Sequence, residues 1–120
     1  MPKIRLLRLG FWCIVAAVLF LALMPSGEFT PGLPNDKINH FLAFFVLACG
    51  ARLLWARPGG VVLFVLLSCF GGAIELLQLA MGLGRQAEWG DLAADVLGVV
   101  AGLLFARVLL AFGIRRVLAD

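Results

Sequence analysis

"VVLFVLLSCFGGAIELLQLA" (residues 61–80) contains a single charged side chain, Glu75. A helix on the surface of a water-soluble domain would show a polar stripe at a spacing of three or four residues. Residues 61–70 show none, and the whole run matches the about 20 residues that a helix needs to cross the hydrocarbon core of a bilayer. Working outward from it, Leu9 to Met24, Ile38 to Ala51 and Leu92 to Ala106 have the same character, the last with one aspartate inside. Arg52 and Arg107 can snorkel back to the membrane surface, which extends the second and fourth stretches to spanning length. The sequence therefore predicts an all-α membrane protein, a compact antiparallel bundle of four transmembrane helices over approximately 6–24, 37–55, 60–82 and 91–112. Residues 1–120 form one domain in this reading.

Composition agrees. Of 120 residues, 63% are apolar and 14% charged, against about half and about a quarter in soluble domains. The start, "MPKIRLLRLGFWCIVAAVLFLALM" (1–24), has the basic and apolar regions of a signal peptide, but Ala22 and Met24 do not make a small-x-small cleavage site, so it reads as a retained first helix. "PSGEFTPGLPND" (25–36), "RPGG" (57–60) and "GLGRQAEWGD" (82–91) carry the glycines and prolines of connecting loops. Cys13, Cys49 and Cys69 each fall inside an expected span without metal-ligand spacing, which points to packing rather than disulfides.

Charge sets the expected orientation. With four spans, Lys3, Arg5, Arg8, Arg52, Arg57, Arg107, Arg115 and Arg116 share one side and only Lys37 and Arg85 lie on the other. By the positive-inside rule both termini of the multi-pass chain are cytoplasmic. The formal net charge of +3 is then a topology signal with an attraction for anionic lipid, and not the footprint of a nucleic-acid partner. Acids are distributed the opposite way: Glu28, Asp36, Glu75, Glu88, Asp91 and Asp95 fall toward the outer side and only Asp120 inside. Acidic residues hardly influence orientation, so topology does not require that pattern.

Helical spacing groups these residues. Asp36 and His40, Glu75 and Gln78, and Asp91 and Asp95 each share a helix face at the outer end of a span. Small residues continue the stripes inward, with Ser68, Gly71 and Gly72 before Glu75 and with Gly98 and Gly102 after Asp95, so these faces are expected to meet inside the bundle. Asp36, His40 and Arg52 also repeat the separations of Asp91, Asp95 and Arg107 at an offset of 55 residues. Either a duplicated hairpin or two similarly oriented helices would give that echo. The bland reading of the polar groups is interhelical glue, worth under about 1 kcal/mol per hydrogen bond, whereas a charge at the bilayer centre costs at least about 2.5 kcal/mol. Glue alone is a poor reason to gather so many of them.

"DKINHFLAFFVLACG" (36–50), "GGAIELLQ" (71–78) and "RQAEWGDLAADVLGVVAG" (85–102) together resemble the VanZ-like family of small bacterial membrane proteins, whose pattern runs D-K-x-x-H-F, E-x-x-Q and R-x(5)-D-x-x-x-N/D-x-x-G. The match runs from the second helix through the fourth. Position 95 is Asp here, where many relatives have Asn, which adds an ionisable group. The resemblance implies a small multi-pass protein of the cell envelope, in a family whose founding member is associated with low-level resistance to the glycopeptide teicoplanin through no established mechanism.

Two functions follow from the residues. As an enzyme acting on a lipid-linked or cell-envelope substrate, the chain would use His40, Glu75, Asp91 and Asp95 catalytically. His40 could transfer protons, oriented by Asp36 or Asp95, and Glu75 could act as a second base. Asp36, Lys37, Gln78, Arg85 and Glu88 would bind substrate, with Lys37 and Arg85 suited to a phosphate or carboxylate. A divalent metal suits one histidine among carboxylates, although no tight ligand motif such as HExxH is present. As a binding protein, the acidic pocket would instead hold a lipid headgroup or a cationic or glycopeptide ligand without chemistry. A role as a small transporter or as a subunit of a membrane complex is a third, more remote reading. Membrane lipids are partners in every case; the sequence leaves the oligomeric state open.

Overall fold

The computed structural model describes residues 2–24, 36–82 and 88–119. Among these it is helical with no strand: α1 (Pro2–Ala22), α2 (Asp36–Leu54), α3 (Gly60–Met81), α4 (Trp89–Ala111) and a short α5 (Ile114–Ala119). The first four are long and apolar enough to cross a membrane. Their outward faces carry Phe20, Val61, Leu76 and Leu104, all more than half exposed. A water-soluble bundle would place polar side chains there.

The boundaries differ from expectation by a few residues, for local reasons. Helix α1 starts at Pro2, because proline tolerates the first helical position, where its missing N–H has no partner to lose. Gly82 ends α3 in the left-handed conformation (φ 58°, ψ 36°), which only glycine adopts without cost. Helix α4 starts at Trp89, and Glu88 precedes it in extended conformation without capping it through its side chain. The break into α5, which the sequence reading did not anticipate, comes at Gly113 (φ 77°).

Contacts between helix ends fix their alternation. At one end, Arg8 Nη2 donates to the Leu54 carbonyl at 2.9 Å and Arg115 Nη2 to that of Arg52 at 2.7 Å, while Lys3 reaches Val117 O at 3.0 Å. Arg8 and Arg115 thereby satisfy carbonyls left open at the C-terminus of α2. At the other end, the start of α2, the end of α3 and the start of α4 converge with the end of α1.

The bundle is not made of four equivalent helices. Its tightest contact joins α2 and α4, which run parallel, while α1 lies at the periphery on α2 and α3 and makes no close backbone approach to α4 among the described residues. Gly98 and Gly102 create that contact. A Cβ at Gly98 would overlap the Phe41 carbonyl, and one at Gly102 would overlap the Phe45 carbonyl and lie 2.9 Å from the Ala48 methyl group. Residues about 55 apart thus stand side by side, so the repeated spacing in the sequence corresponds to two parallel helices in register. Phe44, Ala48, Ile74 and Val99 fill the adjoining core. Replacing Gly102 by leucine should cost about 3 kcal/mol or more, because the obstructing atoms are backbone. Thermal unfolding in detergent will show a large downward shift, and an unchanged midpoint would contradict this α2–α4 contact.

Two expectations on small residues need correction. Gly71 faces α4, but a Cβ at Gly72 would meet nothing within 4 Å, because one residue along a helix turns the side chain by about 100° and away from the bundle. Cys13 and Cys69 are exposed on the outward surface rather than packed in the core; the three cysteines are free.

Candidate functional site

Among the described residues, five polar side chains are buried in the bundle: His40, Glu75, Gln78, Asp91 and Asp95. All five were candidates from the sequence, and they come from three helices at the end opposite Arg8 and Arg115. Gathering them requires the tight α2–α4 contact, which aligns Asp36 and His40 with Asp91 and Asp95, and the placing of α3 against both.

Asp95 and His40 form the centre. His40 Nδ1 lies 2.7 Å from Asp95 Oδ1, and Asp95 is 0% exposed. With Asp95 ionised its oxygens can only accept, so Nδ1 carries the hydrogen and donates it, and the imidazole is held in one orientation. The other carboxylate oxygen, Oδ2, rests over α3 at Gly71, where a Cβ would come within 2.8 Å of it. Glycine at that position makes room for the carboxylate. Oδ2 is buried without a hydrogen-bond partner.

The opposite edge of the ring faces two more carboxylates. His40 Nε2 is 3.6 Å from Asp36 Oδ2 and 3.8 Å from Asp91 Oδ2. Asp36 is half-exposed and Asp91 buried, so this edge opens toward the end of the bundle. Glu75 completes the group from α3. Its Oε2 accepts the backbone N–H of Glu88 at 3.0 Å, and its Oε1 is buried without a hydrogen-bond partner. One ligand atom from each of His40, Glu75 and Asp95 lies within 4.8 Å of the others, and the same holds for Asp36, His40 and Asp91.

The remaining candidates surround this centre. Gln78 donates through Nε2 to the Ala22 carbonyl at 2.7 Å and so ties the end of α1 to α3, a positioning contact. Lys37 pairs with Glu88 Oε2 at 2.9 Å and with Asp91 Oδ1 at 3.4 Å, bordering the polar cluster with a salt bridge between α2 and the entrance to α4. Lys37 holds the Glu88 carboxyl below the usual carboxylate range, through its hydrogen bond first and its charge second. Arg85, the other expected anion ligand, falls outside the described residues, as do Glu28 and Asp120.

No family model, curated protein or solved structure matches the chain. The resemblance to the VanZ-like family therefore rests on the quoted residues.

Some contributors had no sequence signal. The Ala22 carbonyl and the Glu88 N–H are backbone groups, and any residue type could supply them. Gly71 was visible only as one of two adjacent glycines.

Proposed function

We propose that the chain is a four-span protein of the bacterial inner membrane, with cytoplasmic termini and its polar pocket open at the outer leaflet, and that it is an enzyme acting on a lipid-linked or cell-envelope substrate. The observation that carries this reading is the burial, at one end of an otherwise apolar bundle, of His40, Glu75 and Asp95 together with two carboxylate oxygens that have no hydrogen-bond partner, Glu75 Oε1 and Asp95 Oδ2. An unsatisfied buried group costs about 1–3 kcal/mol. Arg52 Nη1, Ser68 Oγ, Gln78 Oε1 and Arg115 Nε are also without a hydrogen-bond partner; what sets Glu75 and Asp95 apart is that both are acids grouped with the buried histidine. A site that serves a substrate leaves such oxygens open.

The roles follow from position. The Nδ1 of His40 is committed to Asp95, and its Nε2 faces Asp36 and Asp91. Glu75 Oε1 is the free buried base beside them. Glu75 takes the proton of an attacking water or hydroxyl and returns it to the leaving oxygen, so the site ends each cycle as it began. Asp91 and Asp36 line the mouth, Lys37 and Glu88 form its rim, and Gln78 holds α1 against α3. The quoted VanZ-like residues support an envelope role, with glycopeptide resistance as a phenotype associated with that family's founding member.

A second reading has an observation of its own. Asp36, Glu75, Glu88, Asp91 and Asp95 gather at one end of the bundle, where Lys37 pairs with Glu88 and Asp91, a balance that favours a cationic ligand held without chemistry. One experiment separates the two. The purified protein is incubated with an inner-membrane lipid extract, and the extract is followed by mass spectrometry beside the Glu75→Gln variant. Conversion of one lipid-linked species by the wild type alone supports the enzyme; an unchanged extract, or equal conversion by both proteins, overturns it. Stoichiometric retention of a species without conversion supports the binding protein.

A further inference from the structure

We propose that His40 Nε2, Asp36 Oδ2 and Asp91 Oδ2 form a binding site for one divalent cation of the manganese to zinc kind, with Asp95 as the residue that orients the imidazole. This deepens the functional reading above and rests on the same pocket, but binding can be measured without any substrate.

The distances favour an ion over a hydrogen bond. At 3.6 and 3.8 Å, the Nε2 to carboxylate separations are too long for hydrogen bonds. They do suit two ligands of one metal ion. Ligand bonds of about 2.0–2.3 Å, meeting at the tetrahedral angle, put neighbouring ligand atoms roughly 3.3–3.8 Å apart. One atom from each of the three residues also lies within 4.8 Å of the others.

The imidazole supplies an independent observation. The His40 side chain is 9% exposed, its Nδ1 is used by Asp95, and its Nε2 makes no hydrogen bond among the described residues. Nε2 therefore has a carboxylate oxygen of each of Asp36 and Asp91 within 4 Å and a hydrogen bond to neither. Three electron-rich groups converging on one spot repel each other unless a cation lies between them. A metal-bound histidine that donates its other N–H to a carboxylate is the usual second partner of such sites, because the carboxylate fixes the tautomer and raises ligand basicity. Asp95 is in that position at 2.7 Å.

The donor set limits the ion. One imidazole nitrogen with two carboxylate oxygens is softer than the all-oxygen sites of calcium or magnesium and lacks the thiolates of closed structural zinc sites. Asp36 is half-exposed, which leaves the open side of the ion to water or to an oxygen of a substrate. Lys37 approaches Asp91 through the other oxygen, Oδ1, and leaves Oδ2 to the ion.

The test uses the full chain in detergent, stripped with a chelator and titrated with Mn²⁺ under electron paramagnetic resonance, with Zn²⁺ as competitor. The expected result is one displaceable Mn²⁺ per chain. His40→Ala and Asp91→Asn should each weaken binding at least tenfold, Asp36→Asn likewise, and Asp95→Asn, which retains an acceptor oxygen, about tenfold. Glu75→Gln should change affinity by less than about threefold, since Glu75 is not one of the three residues that supply ligand atoms to this site. Circular dichroism on each variant separates lost ligands from lost fold. Absence of stoichiometric binding by the folded wild type, or unchanged affinity in folded Asp36→Asn and Asp91→Asn, overturns the site. Loss of binding in Glu75→Gln with retention in Asp36→Asn also overturns it. Binding without lipid conversion would leave the ion site standing and remove the enzyme reading alone.

Discussion

Replacing Asp95 by alanine will destabilise the protein by about 3–5 kcal/mol, whereas Asp95→Asn will cost far less. Alanine removes one partner of a fully buried pair and leaves the His40 N–H without an acceptor, which is the expensive way to disrupt such a pair. Asparagine retains an acceptor oxygen of nearly the same shape over Gly71, and its amide can substitute for the oxygen that now has no partner. Thermal unfolding of the three proteins in one detergent measures the difference. Equal losses for alanine and asparagine would mean that the carboxylate charge, and not an acceptor oxygen of the right shape beside His40, is what position 95 supplies.

The second large effect concerns turnover. In the lipid-conversion assay, Glu75→Gln should lower the rate by about 10²–10⁴-fold, the usual contribution of a positioned acid or base. His40→Ala should cost as much, because it removes the group that Asp95 holds and that Asp36 and Asp91 surround. The double variant should then lose little more than either single one, since residues acting as a unit fail together. Multiplicative losses in variants of equal membrane abundance would show independent contributions and break the single-site account.

The helices were legible in the sequence because an apolar run with no polar stripe leaves few alternatives. The stacked pairs were legible too: Asp36 with His40 and Asp91 with Asp95 need only the helical repeat to share a face. What could not be read was rotation and neighbour choice. Gly71 and Gly72 are adjacent, yet one accommodates Asp95 and the other faces outward, and only the helix orientation separates them. Nothing in the loop lengths shows that α2 would pack most closely on parallel α4, although Gly98 and Gly102 marked α4 as a close-approach surface. Arg8 and Arg115 were read as topology signals, and they also close the open carbonyls of α2, a partner choice that depends on tertiary structure. Lys37 was expected to hold an anionic substrate; it spans Glu88 and Asp91, whose positions depend on where α4 begins.

The central claim is a four-span protein whose polar pocket opens on the outside of the inner membrane, and site-directed thiol labelling tests it most directly. Glu28→Cys, Glu88→Cys and Asp120→Cys are introduced singly after the native cysteines are removed, and intact spheroplasts are treated with a membrane-impermeant reagent. Glu88 belongs to the pocket rim and is half-exposed. The account predicts that Glu28→Cys and Glu88→Cys react in intact spheroplasts, and that Asp120→Cys reacts only after permeabilisation. Reaction of Glu88→Cys and Asp120→Cys from the same face would contradict it.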